Sequence, residues 1–179
     1  MARGVTSATV GVAITVPAPW GEDLQELRAS FGDTLAWTIP THITLLPPTE
    51  VSRDRLAAVD DHLSKVAGQA DVFDVALSGT DTFRPITQTS FVVLAEGGAQ
   101  CERLADLVRS GPLRRSLPFP YHPHVTIAVD LSTDDHDRAE RQLADFALRF
   151  AVTRIERYEL AEHGVWESVK DFDLVGRHG

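Results

Sequence analysis

The chain has 179 residues, and a 43% hydrophobic content is enough to bury the core of one domain spanning residues 1–179. Its formal net charge is −9, with only two lysines, Lys65 and Lys170, among seventeen basic residues; this excludes a long nucleic-acid groove lined with phosphate-neutralising cations and leaves a local pocket for one end or a short piece. No apolar run suits a membrane span, the first residues lack the apolar core of a signal peptide, and the lone Cys101 excludes an internal disulfide or a cysteine-rich zinc site, which together point to a cytoplasmic protein.

Ala8 to Val16 is rich in β-formers with rough alternation and ends at Pro17-Ala18-Pro19, which predicts a strand. Trp20 to Phe31 follows as a helix, with Leu24, Leu27 and Phe31 at helical spacing and Gly32 as a stop. A short strand from Ile39 to Leu46 is expected to end at Pro47-Pro48. Ser52 opens the clearest helix, with Leu56, Val59, Leu63 and Val66 as its apolar stripe and Gly68 just beyond its end. Phe73 to Leu77 and Phe91 to Leu94 read as strands separated by Ser78-Gly79-Thr80-Asp81 and a loop around Pro85. Ala99 to Val108 is helical, ended by Gly111-Pro112, and the next strand begins at His124. Thr133 to Phe146 reads as a polar helix with Leu143 and Phe146 inward, and two last strands span Ala147 to Leu160 and Val165 to Val175.

A repeat emerges from this order. Thr41-His42-Ile43-Thr44-Leu45-Leu46 and Pro123-His124-Val125-Thr126-Ile127-Ala128 share the pattern His, β-branched apolar, Thr, apolar. Each is followed by a turn, a helix and another strand, which suggests two equivalent lobes with a groove between them. The closing strands adjoin through tight turns. An α+β fold with antiparallel sheets is therefore expected rather than a doubly wound parallel sheet.

Side chains alternate across a strand, so His42 shares a face with Thr44, and His124 with Thr126, while Ile43, Val125 and Ile127 pack inward. Each strand thus shows an imidazole and a hydroxyl about 7 Å apart on one side, at a rise of about 3.3 Å per residue. Two such strands together can serve phosphoryl transfer without a metal. One imidazole takes a proton, the other gives one, and the hydroxyls donate to phosphate oxygens. A single His-x-Thr on a strand is ordinarily structural; packing alone has no reason to choose the pattern twice at equivalent places.

His42-Ile43-Thr44-Leu45 and His124-Val125-Thr126-Ile127 resemble the paired motifs of the 2H phosphoesterase superfamily, most closely its bacterial 2′-5′ RNA ligase-like branch of RNA 2′,3′-cyclic phosphodiesterases. The resemblance covers nearly the whole chain. It implies a bilobal, pseudo-twofold symmetric fold with two antiparallel β-sheets lining a central cleft and helices packed outside. It further implies opening of 2′,3′-cyclic phosphates to 2′-phosphomonoesters, with 2′-5′ ligase-type activity as a related outcome, and needs no cofactor. The expected partners are an RNA end, a short oligonucleotide or a cyclic nucleotide. His124 is assigned as the base and His42 as the acid, with the reverse left open. Several bacterial relatives carry an Arg three residues after the second motif's Thr, where this chain has Val129, and Pro47-Pro48 replaces an aromatic residue and a Gly.

Other residues fill out the expected site. Tyr121, Phe83 and Trp166 are candidates for stacking on a base. Arg84 is a candidate replacement for the missing phosphate-binding Arg, and Arg109, Arg114 and Arg115 form the one basic cluster. His122 lines the cleft edge or supports His124; a metal site built on His122 and His124 lacks an evident further ligand, so no metal is assigned. His62, His136 and His178 carry no signal, and His163 lies in a turn. A non-catalytic nucleotide- or RNA-end-binding module on the same fold is the alternative, and intact His and Thr in both motifs favour the enzyme.

Overall fold

A computed structural model describes residues 6–176; His178 lies outside them. The first strand, β1 (Ser7–Thr15), leads through α1 (Trp20–Ser30) into β2 (His42–Ser52), which carries the first motif. A short 3-10 turn, Arg53–Arg55, then opens α2 (Leu56–Ala67), followed by β3 (Phe73–Thr82) and β4 (Thr89–Glu96). Helix α3 (Gly98–Val108) leads to β5 (His124–Val129), the second motif strand, then α4 (Thr133–Gln142). The chain closes with β6 (Ala147–Val152), β7 (Arg154–Leu160) and β8 (Trp166–Asp173). No helix among the described residues is long and apolar enough to cross a membrane.

The strands form one antiparallel sheet in the order β6-β3-β4-β5-β2-β1-β7-β8. Its two four-stranded halves are the two expected sheets, and they meet at a single registered pair, Ile43 with Val125. The α+β architecture is thus as expected. Reading outward from that pair, β2 corresponds to β5, β1 to β4, β7 to β3 and β8 to β6. The helices obey the same symmetry, since α1 lies against β5 and α3 against β2. Ile43, Leu45, Val125 and Ile127 are fully buried on the helix side, where they join the apolar core. This leaves His42, Thr44, His124 and Thr126 on the opposite, half-buried face.

Several boundaries differ from the expectation for physical reasons. The repeat runs strand-helix-motif strand, β1-α1-β2 and β4-α3-β5, upstream of each histidine rather than downstream. The downstream strands β3 and β6 both belong to the β5 half, where they pair with each other. Pro47 and Pro48 do not end β2. They fall between the registered pairs Leu46–Val12 and Thr49–Val10, at a bulge where no ladder N–H is required. Ser78 to Thr82 continue β3 through another register shift, at which Gly79 takes a positive φ of 72°. The expected strand from Ala147 to Leu160 breaks at Thr153, because β6 pairs with β3 while β7 crosses to pair with β1. Helix α4 stops at Gln142, so Leu143 and Phe146 pack inward from the following turn, and His136 and Ala139 are the buried residues of the helix itself.

Candidate active site

The junction between the halves sets the geometry. Ile43 and Val125 face each other in antiparallel register. Continuing that register by one residue sets His42 across from Thr126 and Thr44 across from His124, a twofold arrangement of two imidazoles and two hydroxyls on the cleft face. Beyond this pair the strands diverge. The Thr44 carbonyl accepts a hydrogen bond from the Tyr121 hydroxyl at 2.7 Å.

Both histidines are held in the same way. The Nδ1 of His42 lies 2.8 Å from the Pro40 carbonyl, and that of His124 lies 2.7 Å from the His122 carbonyl. A carbonyl only accepts, so each Nδ1 carries the proton and each neutral ring keeps an Nε2 lone pair. The Thr44 hydroxyl donates to the His42 Nε2 at 3.1 Å. Burial above all, opposed by the Pro40 hydrogen bond and aided by the positive charge of Arg28 and by His124, brings His42 down from 6.5 to about 4. Burial also lowers His124, to a lesser extent. Both rings are therefore predominantly neutral in the free protein at pH 7.

The two sides of the cleft differ. Behind His124 stands an aromatic wall: the Phe83 ring meets His124 edge-on at 5.0 Å and His122 at 5.3 Å, and lies 4.3 Å from Phe91. Beside His42 is a pocket of about 210 Å³. His42, Thr44 and Tyr158 give it polar groups, and Trp166, Ile39 and Leu46 are among its apolar walls. Gly11 also lines it, and a Cβ there would only meet the Trp166 ring in ordinary van der Waals contact at 3.4 Å. The backbone N–H of Trp166 donates to the Thr38 carbonyl at 2.7 Å, which ties the β7–β8 turn to the segment leading into β2.

The other expected site residues divide between the cleft and the frame. Trp166 lines the pocket, and Phe83 packs on the rings of His122 and His124. His122 is exposed, and its carbonyl fixes His124. Tyr121 gives its hydroxyl to the Thr44 carbonyl, packs its ring against the core, and has Arg109 over that ring at 5.1 Å. Arg84 is paired with two carboxylates of α4, Asp137 and Glu140, each 2.8 Å from its guanidinium. The basic cluster is likewise divided, with Arg109 paired to Asp106, Arg115 bonded to the Pro48 carbonyl and Thr49, and Arg114 exposed. His136 is wholly buried and meets Ser90, while His163 is exposed beside Glu167. Among the described residues no group of three or more His, Cys, Asp or Glu is arranged to hold a metal ion.

Sequence reasoning missed Gly11, Ile39 and Tyr158. An isolated glycine within a strand pattern is the one local signal that marks Gly11. Tyr158 has no local signal; it reaches the site through the pairing of β7 with β1, more than 140 residues apart in the chain.

The family model described as the 2′-5′ RNA ligase superfamily matches residues 15–164. The curated protein "Putative phosphoesterase BH1439" of Halalkalibacterium halodurans is 29% identical, over 92% of this chain and 96% of its own. "Putative phosphoesterase OB1230" of Oceanobacillus iheyensis is 27% identical, over 93% of this chain and 98% of its own. Among solved structures, E. coli LigT in apo form is similar in fold with a TM-score of 0.69 at 21% identity, covering 94% of this chain and 98% of that one. E. coli LigT complexed with 3′-AMP has a TM-score of 0.67 at 18% identity, with coverages of 94% and 99%.

Proposed function

The chain belongs to the 2′-5′ RNA ligase superfamily, and on that premise we propose that it is a metal-independent phosphodiesterase acting on 2′,3′-cyclic phosphates of RNA ends, short oligonucleotides or small nucleotides in the cytoplasm. Phosphoesterase activity is the broader reading, and the names of its curated relatives support it. One observation carries the finer reading: two histidines placed diagonally about the registered Ile43–Val125 pair, each with Nδ1 tied to a carbonyl two residues upstream.

In this mechanism a water oxygen attacks phosphorus while the base imidazole takes its proton through Nε2. The P–O3′ bond breaks, and the acid imidazole delivers a proton to O3′, leaving a 2′-phosphomonoester. Thr126, and Thr44 once its hydroxyl turns from the His42 Nε2 that receives the water's proton, donate to the non-bridging oxygens, where charge concentrates in the transition state. Replacing the attacking water with a 5′-hydroxyl gives a 2′-5′ linkage by the same bond changes, which is the ligase-type reaction.

The electrostatics of the free site favour His42 as the base and His124 as the acid, the reverse of the sequence-based assignment. A ring at about 4 is ready to accept a proton and has none to give near neutrality. When the pair holds one proton, it resides mainly on the less depressed His124.

The test is incubation with a 2′,3′-cyclic nucleotide in EDTA, with separation of the 2′- and 3′-monophosphate products. Turnover to the 2′-phosphate is expected. Absence of turnover, a requirement for added metal, or a 3′-phosphate product overturns the reading. An ester with p-nitrophenol as leaving group needs no proton from the protein. It is therefore expected to restore turnover to His124→Ala but not to His42→Ala, and the opposite pattern restores the first assignment.

A further inference from the structure

Behind the wall of the pocket beside His42 that Tyr158 forms runs a chain of hydrogen bonds whose proton directions follow from its chemistry. Tyr158 lines the pocket although it is only 1% exposed. Its hydroxyl donates to Glu156 Oε2 at 3.0 Å and lies 2.5 Å from Thr15 Oγ1. Ser168 donates to the same Glu156 oxygen at 2.9 Å, and Arg154 lies 3.6 Å from the other. A carboxylate only accepts, so the single phenol proton points to Glu156. The Thr15 proton must then close the contact to Tyr158. Burial, together with the Glu156 charge, pushes the Tyr158 phenol above its ordinary range and keeps that proton in place.

Thr15 sits directly across from His42 in the β1–β2 register and is half-buried, so it lies on the cleft face. With its proton committed to Tyr158, its hydroxyl offers the cleft only lone pairs. Thr44, on the other side, gives its hydroxyl proton to His42 Nε2 in the free protein. Thr15 thus sets a fixed acceptor beside His42. The pocket alongside is walled by Trp166, Ile39, Leu46 and Pro48. Its chemistry matches a flat, largely apolar group that carries a hydroxyl or amine.

We propose that Thr15, fixed as an obligate hydrogen-bond acceptor by Tyr158 and Glu156, is a specificity-determining residue that selects a nucleoside bearing a hydroxyl or amino donor next to the scissile phosphate. The nucleoside lies on the β1–β2 side against Trp166, while the aromatic wall of Phe83 and Phe91 supports His124 from the other side. This proposal rests on the phosphodiesterase reading for the reaction but not for binding. A network serving only to tie β1, β7 and β8 together would affect all substrates alike, and that difference is measurable.

The experiment compares kcat/KM for adenosine 2′,3′-cyclic phosphate, its counterparts lacking the exocyclic amine or the 5′-hydroxyl, and bis(p-nitrophenyl) phosphate, which has no donor. In Thr15→Val the preference for the adenosine substrate over the aryl diester is expected to fall about tenfold, chiefly through KM, and Thr15→Ser restores it. The counterpart missing the donor that Thr15 receives loses nothing further in Thr15→Val, which distinguishes amine from hydroxyl. Tyr158→Phe releases the Thr15 proton and lowers the preference in the same direction, giving a second route should Thr15→Val fold poorly. An unchanged preference in either folded variant overturns the proposal. If the wild-type protein turns over none of these esters, the reaction is wrong, and calorimetric titration decides the inference: adenosine 2′-monophosphate binding weakened about tenfold relative to inorganic phosphate in Thr15→Val sustains it, and equal weakening of both overturns it.

Discussion

At the scale of single residues, the two histidines and two threonines could be read from sequence because strand alternation fixes which side chains share a face. Their hydrogen-bond partners could not, since whether a carbonyl approaches Nδ1 depends on the turn before each strand. Arg84 shows the same limit. Its place in a loop after a strand suggested a free cation, but two carboxylates from α4, more than fifty residues away, neutralise it. His42→Ala and His124→Ala are each expected to lower kcat by about 10²-fold or more while leaving the circular dichroism spectrum intact. Thr126→Val removes one donor to the transition-state charge and is expected to reduce kcat by about 10²-fold with a smaller change in KM. Because both imidazoles lie below 6.5 and one must be protonated, the bell-shaped profile of kcat/KM is expected to peak on the acid side of 6.5. An optimum well above 7 contradicts the pair. Arg84→Met is expected to lower Tm by a few degrees without altering KM, since its partners lie on α4 and not in the cleft.

At the scale of elements, periodicity located all four helices and most strands. It failed where backbone pairing overrides local signals. Pro47-Pro48 looked like a stop and proved to be a bulge, and the single stretch expected from Ala147 to Leu160 became two strands serving opposite halves. Both errors have one cause: hydrogen-bond demand is set by the neighbouring strand, which local sequence does not name. Gly97 shows how tightly such a neighbour can bind an element end. It precedes α3 with a φ of 86°, and a Cβ there would lie 2.7 Å from the Asp74 carbonyl oxygen and 2.8 Å from Val75. Gly97→Ala is expected to destabilise the fold by about 1–3 kcal/mol, read from denaturant unfolding. Tyr121→Phe removes the hydroxyl that bonds the Thr44 carbonyl and is expected to cost about 1 kcal/mol. Its effect on kcat is expected to exceed its effect on Tm, because that carbonyl belongs to a motif residue.

At the scale of the molecule, the electrostatics of the site and the stability of the fold are linked. His42, His124 and His136 are all lowered by burial. As pH falls below 6.5 the unfolded chain takes up protons before the folded one does. Stability is therefore fully present above 6.5 and is lost progressively down to the folded values, about 4 for His42. Tm is expected to fall between pH 7 and pH 5 in thermal melts, over the range where activity rises. A second global consequence follows from the crossing of β7 into the first half. The pocket beside His42 takes one wall from β1 and another from Tyr158 and Trp166, at opposite ends of the chain. Neither half is a continuous stretch of sequence, so cutting the chain in the loop near Ile86 yields fragments that are not halves. During synthesis both motif strands are therefore made before the β7–β8 hairpin that must slot beside β1 to complete the pocket next to His42.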